Sequence, residues 1–507
     1  MYKFKKILFL IAGLVLLASC AKDYLDTKPT SSTATPTIFE TTQNAALAIN
    51  GINKLMTRQY LGSQGFNGEG TIKMLYGNYP GTHFYVNLPG WASIINALYH
   101  ENTSSIYLYY PWYYYYMIIG NANTIIHNID NAEGPEAEKE FIKAQALTFR
   151  AYSYFMLSQL YCVRWVDSNN GASDGLVLRL DESTGEMPLS TLADVYSQVY
   201  DDLDVAIDLY TSSGLTRDNN YDPDKNVAYA VYARAAITRQ DYPKAATMAA
   251  NARNGYPLMN NNAYKAGFYT PTSEWIWSSY GAPDETLYYY SYHAYIAYNS
   301  NASNVRTYPK CISRELYEKI PDSDIRKDLF LDPNGISYDT ATGRGGSALK
   351  NYAVSLYPNL YSTATAYAYM QFKIAAEDLP GVGNLNHFRS SEMYLIEAEA
   401  KYFQNDFDGA QDALETLNRD SGRDTEYSCD KTGAALLEEI KTYRAIELWG
   451  EGFDWFDLKR WKDPVVRKTH ADGSNFLSTL AVTVQPNEQN NWTWRIPLKE
   501  TDYNDAL

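Results

Sequence analysis

The sequence predicts a mainly α-helical protein in which helix pairs form a scaffold crossed by long aromatic-rich loops with short strands. Three observations lead there. Apolar residues recur at steps of three and four through much of the chain, the period of a helix with one buried face. A helix–turn–helix unit occurs twice, at an offset of 165 residues. Between the helical blocks lie stretches dense in Tyr, Trp, Asn, Ser, Gly and Pro that carry no helical stripe.

In chain order, 41–60 places Ala45, Ile49, Ile52 and Met56 on one face. A second helix is expected over 113–129 and a third over 138–162, where Ile142, Ala146, Phe149, Ser153, Met156 and Leu160 mark a stripe. The stretch 188–210 opens on a Ser/Thr cap. The repeat follows. NVAYAVYARAAITRQDYPKAATMAANA (226–252) lies over SSEMYLIEAEAKYFQNDFDGAQDALET, so that Tyr229 meets Tyr394, Ala233 meets Ala398, Ala235 meets Ala400, and Asp241-Tyr242 meets Asp406-Phe407. Small residues stand where two helices would cross. Each unit resembles a tetratricopeptide pair, whose faces need stacked neighbours for burial. The last long helix is expected over 433–449, with Leu436, Ile440, Tyr443 and Leu448 near helical spacing. Gly450 and Gly452 stop it, and 453–461 form a second short helix. Arg444, Glu447 and Glu451 lie three and four apart. With Asp457 and Arg460 they are expected to form one ion-paired network holding the two helices at a bend.

The chain has 507 residues, 45% of them hydrophobic, enough for a sizeable core. A single domain is expected over 41–507, divided into a helical part (41–260), a loop-rich insertion (261–386) and a second helical part (387–507). A net charge of −16 argues against nucleic acid and against electrostatic docking on an anionic membrane. Lys3, Lys5 and Lys6 precede the apolar run 7–18, too short as a helix to cross a bilayer. The run ends Leu17-Ala18-Ser19-Cys20, which resembles a bacterial lipobox. Residues 1–19 therefore read as a lipoprotein signal peptide, Cys20 as the lipidated residue, and 20–40 as a flexible Ser/Thr/Pro-rich tether. Cys162, Cys311 and Cys429 are odd in number and far apart, so they read as buried small hydrophobes rather than a disulfide framework.

Little catalytic chemistry is written here. The six histidines show no HxxxH or HExxH spacing, so no zinc site is expected. Gly171-Ala172-Ser173-Asp174-Gly175 matches a serine-hydrolase elbow by letters but lacks its strand–turn–helix context. No phosphate-binding glycine loop occurs, and nothing in the spacing of the 59 acidic residues singles out a glycosidase pair. No cofactor or metal is expected; whether an acidic loop holds Ca²⁺ is left open. The anomaly is 47 Tyr. They concentrate in 65–116 and 270–300, and alternation over Glu285–Tyr298 suggests a strand or hairpin. Residues 332–365 form a third loop-rich stretch. Tyr and Trp rings match the CH face of a pyranose, and Asn, Asp, Glu and Arg match its hydroxyls.

The C-terminal stretch carries a family resemblance. Arg444, Ile446-Glu447-Leu448, Glu451-Gly452 and Trp455-Phe456-Asp457-Leu458-Lys459-Arg460-Trp461 resemble the signature of the SusD/RagB family of Bacteroidetes outer-membrane lipoproteins. Tyr443 and Asp454 depart from it, standing where the family often has Glu and Arg. Further matching segments are NANTII (121–126), FRAYSYFMLSQLY (149–161), ISRELYEKIPDSDIRKDLF (312–330), FRSSEMYLIEAEA (388–400) and Trp494-Arg495-Ile496-Pro497. The resemblance implies four tetratricopeptide-like helix pairs as scaffold and a glycan site on one face, built from an early loop and the mid-chain insertion. Here those regions are 85–96 and 275–298, with Trp91, Tyr85 and Asn96 in the first and Trp277, Tyr290 and Tyr292 in the second. It also implies a non-enzymatic surface lipoprotein of the outer membrane that covers a SusC-like TonB-dependent porin and delivers oligosaccharide to it by a lid-like opening. Peptide capture, as in RagB-like members, is the alternative within binding. A surface glycoside hydrolase and a purely structural porin partner are the rival classes.

Overall fold

The computed structural model describes residues 35–60, 66–97, 100–283, 290–487 and 492–507. The signal segment, Cys20 and most of the tether lie outside these residues. The expected tether ends earlier than Glu40, because Thr35–Ile38 form a helical turn and Phe39 is buried. The long helices are α1 (Thr42–Leu55), α2 (Ile106–Asn128), α3 (Glu136–Tyr161), α4 (Leu192–Ser213), α5 (Lys225–Thr238), α6 (Tyr242–Ala252), α7 (Ser347–Leu356), α8 (Ser390–Phe403), α9 (Phe407–Glu415), α10 (Gly433–Glu447) and α11 (Asp454–Trp461). The fold is mainly α.

The scaffold is a stack. α2 packs on α3, α3 on α4, α4 on α5 and α5 on α6; α6 then packs directly on α8, which carries α9 and α10. The insertion separates the two repeat units in sequence, yet in space they are neighbours. Their equivalence reaches the backbone. Asp241 and Asp406 both cap their second helix at φ −87°, ψ 74°, accepting from Lys244 N and Gly409 N. The preceding Gln240 and Asn405 have φ of 64° and 63°. Ala235, Ala245, Ala400 and Ala410 are fully buried where the helices cross, which lets the backbones approach.

Two sequence expectations are corrected in the aromatic regions. Helix α2 begins at Ile106 rather than 113, with Pro111 inside it, and Gly68–Asn78 is also helical, ending in a π turn (Ile72–Asn78). Proline in a helix interior removes a donor and normally breaks the ladder. Here tyrosine hydroxyls repair it. Tyr76 donates to the Tyr107 carbonyl at 2.8 Å, the group that Pro111 leaves without its helical donor. One turn on, the Tyr161 hydroxyl sits in the ladder, accepting from Trp112 N at 3.1 Å and donating to the Leu108 carbonyl. The second correction concerns Glu285–Tyr298. Residues 284–289 lie outside the described residues, and Tyr292–Ile296 is a helical turn capped by Ser291, not a strand. The third loop-rich stretch contains α7, held by buried Leu349 and Ala353 one helical turn apart.

Short antiparallel strand pairs fasten the insertion. Strands are β1 (Phe84–Val86), β2 (Trp275–Ser279), β3 (Lys310–Ile312), β4 (Leu385–Arg389), β5 (Val465–Val466) and β6 (Thr483–Val484). β2 pairs with β4 at the insertion's base; β1 pairs with β3, with Tyr85 opposite Cys311, and so ties the early loop to it. β5 pairs with β6. Cys162, Cys311 and Cys429 are free and buried, as expected.

Candidate functional site

The bend after α10 is the node that positions the site. Gly450 (φ 82°) and Gly452 (φ 91°) take the left-handed conformation that ends the helix. A Cβ on Gly452 would stand 2.8 Å from Lys73, so side-chain-free backbone is needed there. The Gly450 carbonyl accepts from Asn78 Nδ2 of the early segment and from the Tyr292 hydroxyl of the insertion, each at 2.7 Å. Trp449 Nε1 donates to the His83 carbonyl at 2.8 Å, and Asp454 accepts from His83 N at 2.6 Å. One bend therefore grips both aromatic regions.

Buried charge locks the bend. Glu447 meets Arg389 Nη1 at 2.6 Å, Arg326 Nη1 at 2.8 Å and Arg423 Nε at 3.2 Å. Glu451 meets Lys373 at 2.7 Å and Arg389 at 2.8 Å, and Glu274 bridges Arg389 and Arg423. Lys373 also donates to the carbonyls of Glu447 and Trp449, placing a cation at the helix C-terminus, where the dipole favours it. Burial alone would push the Glu447 carboxyl up, but Arg423, Arg389 and Arg326 hold it well below the usual range. Glu451, also opposed by burial, is held at about 2 by Arg389 and Lys373. The single expected network is in fact two. Arg444 and Arg460 pair with Asp457 at 2.7 and 2.9 Å, and Arg460 goes on to Glu399. Neither arginine forms an ion pair with Glu447 or Glu451 among the described residues, because Arg326 and Lys373 of the insertion, Arg389 of β4 and Arg423 occupy those carboxylates.

On this frame the two expected loops converge. Pro89–Trp91 form a short 3₁₀ turn, closed by Trp91 N donating to the Leu88 carbonyl at 3.0 Å, with Pro89 and Gly90 exposed. The half-buried Trp91 ring meets Tyr295 edge-on, centroids 6.2 Å apart. From the insertion, half-buried Tyr290 meets the same Tyr295 ring at 6.1 Å. A buried tyrosine thus carries one part-exposed aromatic from each loop. The hydroxyls of Tyr295 and neighbouring Tyr79 are buried without a hydrogen-bond partner among the described residues, and burial pushes the Tyr295 phenol well up.

Of the six expected ligand residues, Trp91 and Tyr290 are brought together this way. Asn96 is half-buried, and its Oδ1 accepts from Arg467 Nη1 at 2.9 Å. Arg467, which sequence reasoning missed, also donates to the carbonyls of Pro80 and Ile95, so it pins the Trp91 loop to the C-terminal segment. The other three expectations are corrected. Tyr85 is 1% exposed in β1, its hydroxyl donating to the Thr342 carbonyl. Trp277 has no exposed surface; it packs on Phe149, Tyr152 and Phe388 and donates to the Tyr221 carbonyl. Tyr292 is 6% exposed and spends its hydroxyl on Gly450. A ring with its faces packed offers no stacking platform, so these three are core. The Gly171–Gly175 segment forms turns, not a nucleophile elbow. No group of three metal-ligating side chains occurs among the described residues.

The architecture is a helix-pair stack that carries a loop-built aromatic cluster, and comparison with known proteins identifies the lineage. Residues 236–507 match the SusD family model and residues 23–237 match a SusD-like model described as starch-binding, associating with outer membrane. The chain belongs to the SusD family. It is 23% identical to a SusD-like carbohydrate binding protein from Bacteroides vulgatus, covering 92% of this chain and 98% of that one with a TM-score of 0.72. A SusD superfamily protein from Bacteroides thetaiotaomicron, also 23% identical, gives 92% and 98% coverage and a TM-score of 0.71. One from Bacteroides fragilis is 18% identical over 93% and 99%, with a TM-score of 0.71. No curated protein matches the chain significantly. No helix among the described residues is long and apolar enough to cross a membrane.

Proposed function

We propose that this protein is a non-enzymatic, cell-surface lipoprotein of the outer membrane that captures an oligosaccharide and passes it to a SusC-like TonB-dependent porin. The observation that carries the reading is the convergence of Trp91 and Tyr290, 199 residues apart in sequence, on the single buried ring of Tyr295. Part-exposed rings held against one buried ring suit the CH faces of sugar units, and each stacked ring contributes about 1–3 kcal/mol by analogy with base stacking. Family membership and a carbohydrate-binding structural relative support the same ligand class. Anchoring falls to Cys20, with the tether leading into α1. Calorimetric titration against a panel of oligosaccharides and peptides tests the ligand class. Saturable glycan binding without reducing-sugar release is expected. Binding to peptides alone would move the protein to the RagB-like alternative, and sugar release would make it a hydrolase.

A further inference from the structure

Three stretches of the chain carry no acidic residue: none of the 59 Asp and Glu falls in 70–100, 286–314 or 340–376. The chain as a whole has a net charge of −16, yet the fold gathers these three stretches together. β1 of the first pairs with β3 of the second. The second and third join where Thr365 N donates to the Arg306 carbonyl and Gln371 N to the Lys310 carbonyl, each at 2.9 Å, and Tyr298 N to the Ile374 carbonyl at 3.1 Å. Asn87 Nδ2, just before the Trp91 turn, closes the set by donating to the Tyr367 hydroxyl at 3.1 Å. Trp91, Tyr290 and Tyr295 all belong to these stretches, so the aromatic platform stands on chain free of carboxylates.

The same stretches contain seven Lys and Arg. Three are engaged elsewhere: Arg314 with Glu318, Lys373 with Glu451, and Lys73 at the bend on the Glu451 carbonyl. The other four, Arg306, Lys310, Arg344 and Lys350, form no ion pair among the described residues. Lys350 Nζ donates to the carbonyls of Tyr361 and Ala364 at 3.0 and 2.8 Å, and Arg306 Nη1 to the Thr363 hydroxyl at 3.0 Å. Exposed Arg344 stands opposite Tyr367 across an antiparallel bridge, which puts the two side chains on one face. Asp339 lies in the same hairpin, but its carboxylate accepts from Ala341 N and the Thr342 hydroxyl. Glu315, just beyond the second stretch, is taken by Lys468. Burial holds Lys310 down at about 7, so the charge rests on Arg306, Arg344 and Lys350. At physiological salt a charge is felt over only about 8 Å, so a ligand at this face meets the local excess rather than the overall charge. We propose that the Trp91–Tyr290 face takes an acidic oligosaccharide, one bearing carboxylate or sulfate groups, whose anionic substituents meet the Arg344 and Arg306 guanidiniums. Guanidinium forks match both groups in geometry. A carboxylate on the face would repel such a ligand, which gives the acid-free stretches a physical reason. This ligand class rests on the platform reading and narrows it to charged sugars.

Calorimetric titration with acidic oligosaccharides, each beside its neutral counterpart, tests this: uronates with their methyl esters, and sulfated chains with their desulfated forms. The acidic member of one pair should bind at least roughly tenfold more tightly than the neutral one. It should lose about that factor between ~0.05 and ~0.5 M sodium chloride, while the neutral member does not. The pair that responds assigns carboxylate or sulfate. Arg344→Gln, an exposed substitution, should weaken the acidic ligand by about fivefold and leave the neutral one unchanged; Arg344→Lys, which keeps the charge, should lose less. Preference for neutral members, or an acidic ligand bound equally well by Arg344→Gln, would overturn the proposal, and the platform would still stand if Trp91→Ala weakens that binding. No binding to any acidic or neutral glycan would remove platform and proposal together. Acidic peptides bound in place of glycans would also overturn it and assign the charged face to the RagB-like alternative.

Discussion

Removal of the Glu447 carboxylate is the sharpest test of the bend. The group is fully buried and faces three guanidiniums, those of Arg326, Arg389 and Arg423. Breaking a buried ion pair by deleting one partner costs about 3–5 kcal/mol, because the remaining charge is left uncompensated. Glu274 still serves Arg389 and Arg423, and Asp324 still serves Arg326, so Glu447→Ala should fall within that range rather than beyond it. At about 2.1 cal/mol/K per residue, a domain of this length has an unfolding entropy of roughly 1 kcal/mol/K. The expected fall in Tm is therefore about 3–5 °C by scanning calorimetry. The surface pair Lys319–Glu438, with side chains 50% and 67% exposed, is the control; its loss should shift Tm by less than about 1 °C. Ligand affinity of the folded Glu447→Ala protein should persist. An unchanged Tm with lost binding would refute the structural role and make Glu447 a ligand contact.

Tyr161→Phe removes the hydroxyl that bridges Trp112 N and the Leu108 carbonyl, so two buried groups lose their partner; a Tm drop of about 2–4 °C is expected, and none would mean the ladder closes unaided. Acid should act in two steps. Burial holds His293 down at about 4, and His83 and His387 are lowered too, so the unfolded chain binds more protons from about pH 6.5 downward; stability is complete above that range and falls as pH drops toward 4. Glu451, held at about 2, adds a second loss as pH falls below its unfolded value of 4.5. A Tm flat between pH 6.5 and 4 would contradict the first step. Cys20→Ala should release the protein from membranes and leave it unlipidated; unchanged fractionation and mass would remove the anchor assignment.

What was legible in the sequence follows from range. Helical stripes and caps are local, so α1, α3, α4 and α10 were placed within a few residues, and the repeat was visible because Asp241 and Asp406 share one turn geometry. The charged residues of the bend were also visible on helical spacing, but their partners were not. Arg326, Lys373 and Arg389 reach Glu447 and Glu451 across 58 to 121 residues of chain, a pairing no local period encodes. The aromatic loops were located, yet composition cannot distinguish a ring that lines a face from one that fills the core. Trp277 alternates along β2 as an exposed strand residue would, but both faces of that short strand are covered. Pro111 locally disfavours a helix, and the distant Tyr76 and Tyr161 hydroxyls offset that.

The central claim, that Trp91 and Tyr290 form the sugar platform, is tested most directly by calorimetric titration of Trp91→Ala and Tyr290→Ala beside the wild type, using the best oligosaccharide from the panel. Each variant should weaken binding by at least roughly tenfold, about 1.4 kcal/mol, with Tm lowered by no more than about 2 °C, since each ring is only half buried. Unaltered affinity in both variants, with the fold intact, would contradict the account.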